Sequence, residues 1–120
     1  MKFRLFFAGS ALLLCATSAS AMDAETFYVK AVALKKKGMG AMFSKELKPM
    51  ISLFDKAADS VKAENERARA EGSPFFCAPK KYRLTADQFL AEFSKIPQER
   101  RRLQTVREAW REIVIRRFPC

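Results

Sequence analysis

Two thiols, Cys77 and Cys120, carry the best-defined chemistry in this sequence. A third, Cys15, lies in an apolar N-terminal run that reads as an export leader and is expected to leave with it. Two thiols in an oxidising compartment are expected to join, pinning the last residue of the sequence to its middle. They stand 43 positions apart. On the chain-entropy estimate, closing such a loop contributes roughly 4 kcal/mol, comparable to the whole stability of a marginal domain. No Cys-x-x-Cys spacing is present, so the pair reads as a structural staple rather than a redox centre.

Other chemistry is narrowed by what is missing. The sequence has no histidine, which removes Ser-His and Cys-His nucleophile pairs, imidazole metal sites and the commonest general base. Asp55 and Asp59, four apart on a predicted helix, are the remaining pair that could act as a glycosidase acid and base. Lys56 and Lys62 beside them make a solvated helix face the better account. The expectation is a protein that is not an enzyme and takes no metal or cofactor.

Basic side chains are the remaining candidates. The formal net charge is +10, and loss of the leader with Lys2 and Arg4 lowers it to +8. Such a charge steers acidic partners over a range that salt shortens. Export argues against nucleic acid and leaves anionic lipid, cell-wall polymer or the acidic face of another protein. Arg100, Arg101 and Arg102, with Lys80, Lys81 and Arg83, are the candidate partner-binding residues. They fall inside the disulfide-closed loop on segments expected between helices, exposed yet close to a rigid scaffold. Arginine also offers planar, bidentate pairing to carboxylates or phosphates. A solvated basic surface with no partner is the competing account. Lys35, Lys36 and Lys37 read as the complement to a helix dipole.

The elements that must position these groups are helical, because strand-like alternation is absent. Residues 1–21 form the leader: Lys2 and Arg4 supply its charge, Leu5 to Ala16 its apolar stretch and Ala19-Ser20-Ala21 its cleavage pattern. Leu14 before Cys15 argues against lipidation, and the mature chain, from Met22, contains no stretch long enough to span a membrane. The fold class is all-α, a small domain of four to five helices over residues 22–120. Asp23 caps a first helix whose buried face is Phe27, Ala31 and Leu34, ending at Gly38. After a flexible break at Gly38-Met39-Gly40, a long helix runs from near Lys48 to Glu71, with Met50, Leu53, Phe54, Ala57, Ala58 and Val61 as its stripe. Its polar half, Lys62 to Glu71, is expected to project into solvent. Thr85 with Gln88, and Thr105 with Glu108, are capping boxes. The first opens a helix with Phe89, Leu90 and Phe93 inward, the second a helix lined by Val106, Ala109, Trp110, Ile113 and Val114.

Phe76-Cys77-x-Pro79, the Thr85-capped helix with Phe89 and Phe93, Ile96-Pro97-x-Glu99-Arg100 and the terminal Phe118-Pro119-Cys120 together resemble the C-terminal half of the Tai/Rap immunity protein family. The likeness spans about 45 positions, Phe76 to Cys120. It implies a small exported, periplasmic helical protein, closed by a disulfide between these two cysteines, that binds and blocks a peptidoglycan amidase delivered by type VI secretion. Members of that family are often dimeric. The first half departs from the family, having neither its further cysteine nor its Gly-Tyr-Ile-x-Gly type segment, so the chain resembles a divergent branch. The alternative function is a general periplasmic factor that meets envelope polymers or holds unfolded clients, with no cognate toxin.

If the two cysteines are joined, alkylation of the exported protein without reduction labels no thiol, and alkylation after reduction labels two. Two labels before reduction would refute the framework. Cys120→Ser is expected to lower the unfolding free energy by about 2 to 5 kcal/mol in urea titrations.

Overall fold

Helical periodicity becomes five α-helices and one 3₁₀ turn in the computed structural model, which describes residues 22–120. They are α1 (Ala24–Lys37), a 3₁₀ segment (Gly38–Phe43), α2 (Leu47–Ala70), α3 (Ala86–Ser94), α4 (Gln98–Leu103) and α5 (Val106–Arg117). The leader expected over residues 1–21 lies outside the described residues. Among the described residues no helix is long and apolar enough to cross a membrane.

Local chemistry accounts for most boundaries. The Asp23 carboxylate accepts from the Thr26 amide at 2.6 Å and opens α1; Gly38, at φ 55°, closes it in a conformation that resists a side chain. Thr85 and Gln88 form the full reciprocal capping box of α3. Thr105 accepts from the Glu108 amide at 3.1 Å, but the return bond from the Thr105 amide is absent. Thr105 forms an isolated antiparallel bridge with Asp23, in which the Ala24 amide donates to the Gln104 carbonyl at 2.9 Å. The start of the domain is thereby laced to the turn before α5. The segment expected to be a flexible break is the 3₁₀ turn itself.

The core gathers Phe27 and Leu34 of α1, Met50, Ala57 and Val61 of α2, Phe93 of α3, Ile96 and the α5 stripe around Trp110, all buried. Trp110 meets Phe54 edge-on with ring centroids 4.9 Å apart, and Phe54 meets Phe89 in the same way at 5.0 Å. Phe27 adds contacts to Phe54 at 6.3 Å and Phe93 at 5.6 Å. Offset and edge-to-face pairs of this kind stabilise beyond their buried area.

Along the polar half of α2, Lys62, Glu66, Arg67, Arg69 and Glu71 are exposed as expected, but one face is packed against the domain. Asn65 is buried, its side-chain oxygen accepting from the Phe75 and Phe76 amides (2.8 and 3.2 Å) and its amide donating to the Phe76 carbonyl at 2.9 Å. This clamp holds the returning strand of chain against α2. The Cys77 amide donates to the Phe118 carbonyl at 2.8 Å, and the Cys77–Cys120 disulfide closes beside it with Cα atoms 4.8 Å apart.

Two carboxylates tie α5 to its neighbours. Glu64 of α2 receives Arg107 and Arg111, the latter at 3.0 Å. Glu92 of α3, nearly enclosed, receives Lys95 at 2.9 Å, Arg116 at 3.0 Å and Arg117 at 3.3 Å. Burial pushes the carboxyl of each upward. The hydrogen bonds and charges of Arg111 and Arg107 on Glu64, and of Lys95 and Arg116 on Glu92, outweigh it and hold both below the ordinary value. Asp23 is lowered as well, first by the hydrogen bond from the Thr26 backbone. Carboxyls that bind protons less readily folded than unfolded contribute stability above their unfolded pKa, near 4, and lose it as pH falls through the lower folded values. The thermal midpoint is therefore expected to hold from neutrality to about pH 5 and to fall below about pH 4. Glu92→Gln should shrink that acid limb, and an unchanged limb would contradict the assignment.

Candidate partner-binding site

The basic cluster expected from the sequence divides once it is folded. Arg100, Arg101 and Arg102 do not lie between helices; they form half of α4, where successive side chains diverge by about 100°. Arg101 points inward and is 8% exposed. Its Nε donates to Glu25 of α1 at 2.6 Å, its Nη1 donates to the Phe93 carbonyl at 3.2 Å and to the Ile96 carbonyl, and the guanidinium lies 4.4 Å above the Tyr28 ring. The assignment of Arg101 to an exposed binding cluster is corrected accordingly: its Nε and Nη1 are engaged by Glu25 of α1 and by the Phe93 and Ile96 carbonyls. A short helix with little apolar surface of its own is held on the domain by this residue.

Arg100 pairs with Glu112 at 2.6 Å, and Arg102 is exposed. Lys80, Lys81 and Arg83 are exposed in the irregular chain between α2 and α3. The cleft that Arg100 lines, with Gln104, Glu108, Arg111, Glu112 and Arg116, contains none of those three. Lys80 instead lines a cavity of about 520 Å³ in which Asp59 and Glu66 offset Lys62 and Arg69. The two candidate clusters thus share no cleft, and each cleft mixes both signs of charge. Asp55 and Asp59 are exposed on α2 as a solvated face would be.

An apolar groove is the feature that sequence reasoning missed. It has a volume of about 520 Å³ and runs between α1, the 3₁₀ segment, the first half of α2 and the start of α3. Phe27, Ala31 and Leu34 come from α1, Leu47, Met50, Ile51 and Phe54 from α2, and Ala86, Phe89 and Leu90 from α3. Lys35 is the one charged side chain in its lining, and its ammonium pairs with Asp87 of α3. Leu90, expected inward, is half-buried and lines this groove rather than the core cluster. Ile51 is 50% exposed at its edge. Small side chains, Ala31 and Ala86, leave the depression that larger residues would fill. Two alanines opposite half-buried phenylalanines were the available signal, but only the helix pairing tells which alanines face each other.

No family model matches the chain, and neither a curated protein nor a solved structure matches it. The reading of the site therefore rests on its geometry. Among the described residues no three acidic or thiol side chains are grouped to hold a metal ion. What the groove can do chemically is exclude water from apolar side chains presented to it.

Arg101→Gln is expected to cost about 3 to 5 kcal/mol, because it leaves the largely enclosed Glu25 carboxylate with the Gln98 amide at 3.4 Å and no charged partner. Arg102→Gln should stay within about 0.5 kcal/mol of the parent. Chemical denaturation of the two variants checks this, and equal stabilities would overturn the inward placement of Arg101.

Proposed function

We propose that this protein is an exported, periplasmic binding protein without catalytic activity, and that it captures a protein partner by seating part of it in the apolar groove. The observation that carries the reading is the groove itself: a charge-poor depression that, among the described residues, is left open between three helices of a domain so small that burying apolar surface is at a premium. An apolar segment of a partner laid along Phe54, Phe89, Leu90 and Ile51 would remove from water the surface the fold leaves open. The resemblance of Phe76 to Cys120 to immunity proteins gives the partner a chemical identity, an exported peptidoglycan amidase whose activity is blocked on binding. Exposed Arg102, Lys80, Lys81 and Arg83 would then speed encounter with an acidic partner surface rather than fix the complex.

The test is titration of the purified protein into exported peptidoglycan amidases from the same cell's type VI effectors, with binding and peptidoglycan cleavage followed together. Stoichiometric inhibition is expected, and Ile51→Glu, at a half-exposed position, should weaken binding by about tenfold or more while leaving the thermal midpoint in place. Full amidase activity at saturating protein, or an Ile51→Glu variant that binds like the parent, would reject the proposal. Comparable capture of unrelated unfolded proteins would instead favour a holdase.

A further inference from the structure

The 3₁₀ segment presents a second apolar surface that the groove does not use. Side chains three apart in a 3₁₀ helix eclipse one another, so Gly38 and Ala41 share the edge that lines the groove. Met39 and Met42 fall together on another edge, and Phe43 stands beyond them. Their exposures are 81%, 73% and 90%, and none of the three lines the groove. Single exposed apolar residues are ordinary on any protein. Three within five positions, standing clear of the domain, are not.

Charge surrounds this tip on both sides. Lys36 and Lys37 end α1 just before it, Lys45 and Lys48 follow it, and all four are exposed. Among the described residues these four form no ion pair. From Lys35 to Lys48 the one carboxylate is Glu46, and it is engaged by Lys30 at 3.6 Å. On α5 the cations are bound by carboxylates of other helices, as at Glu64 and Glu92, and the unpaired cations of the 80–83 segment flank no cluster of protruding apolar side chains like Met39, Met42 and Phe43. Here they flank protruding apolar side chains instead.

We infer that the tip Met39–Phe43 is a peripheral membrane contact, its apolar side chains entering the headgroup and acyl boundary of a bilayer while Lys36, Lys37, Lys45 and Lys48 meet anionic phospholipid headgroups. A bilayer is favoured over a protein cleft because both halves of its chemistry, an apolar layer beneath a negative surface, match the arrangement of the tip. Strongly exposed side chains also suit a soft phase that closes around them. The contact is separate from capture in the groove, and places that groove beside a membrane surface.

The experiment is flotation of the protein, purified from the periplasm with its N-terminus read by mass spectrometry, with two kinds of vesicle. One is phosphatidylglycerol mixed with phosphatidylcholine, the other phosphatidylcholine alone. Co-flotation with the first is expected, falling by about tenfold or more between ~50 mM and ~500 mM NaCl. The double variant Met42→Ser, Phe43→Ser changes only exposed side chains, and should reduce flotation roughly tenfold with an unaltered circular dichroism spectrum. Replacing the four lysines with glutamine should abolish the preference for phosphatidylglycerol. Absence of flotation by the parent, or equal flotation by the tip variant, would overturn the inference. So would loss of amidase binding in the tip variant without any vesicle binding by the parent, which would make the tip a protein contact. The Ile51→Glu titration reads the groove independently, so either surface can fail alone.

Discussion

Five aromatic rings, Phe27, Phe54, Phe89, Phe93 and Trp110, hold four helices in mutual contact, and the rest of the domain is arranged around that cluster. Phe27 belongs to α1, Phe54 to α2, Phe89 and Phe93 to α3, and Trp110 to α5, with centroid separations between 4.9 and 6.3 Å. Each such pair is worth about 0.5 to 1.5 kcal/mol beyond the area it buries. On one side the cluster is sealed by Val106, Ala109, Ile113 and Val114. On the other, Phe27, Phe54 and Phe89 form the floor of the groove, so the interaction that builds the fold also furnishes its open surface.

The strongly basic composition has a different role from the one net charge suggests. In the last third of the chain Arg100, Arg101, Arg107, Arg111, Arg116 and Arg117 each meet a carboxylate on another element. Exposed pairs of this kind contribute little singly, whereas the enclosed ones at Arg101 and Glu92 set which helix faces meet, since losing one partner strands the other away from water. Among the described residues, the cations outside these bridges lie around the 3₁₀ tip, along the exposed face of α2 (Lys56, Lys62, Arg67 and Arg69), in the 80–83 segment and at Arg102. Function carried by charge would therefore be local rather than spread across the domain.

Much of the fold was legible because its signals are local. The Asp23 and Thr85 caps, the stop at Gly38 and the apolar stripes of α2 and α5 depend on residues within one or two turns, and all of them hold. What the sequence concealed depends on neighbours far along the chain. A run of three arginines cannot reveal that its middle member faces Glu25, 76 positions earlier. Asn65 looks like one more polar residue in a solvated helix until the backbone of Phe75 and Phe76 arrives beside it. The groove was hidden for the same reason: residues such as Leu90 and Ala31 match a core stripe by spacing, and only the spread between α1, α2 and α3 leaves them facing open space.

The central claim is that the uncovered side of the aromatic cluster, not the basic segments, is the seat of the partner. Methyl-labelled protein observed by NMR during titration with the proposed amidase partner separates the two most directly. The account predicts that the methyl signals of Ala31, Ile51 and Leu90 shift or broaden in proportion to complex formed, with those of Ala78, Leu84 and Leu103 unchanged. Shifts centred on Ala78, Leu84 and Leu103, beside the basic residues, with the groove methyls unmoved, would contradict it.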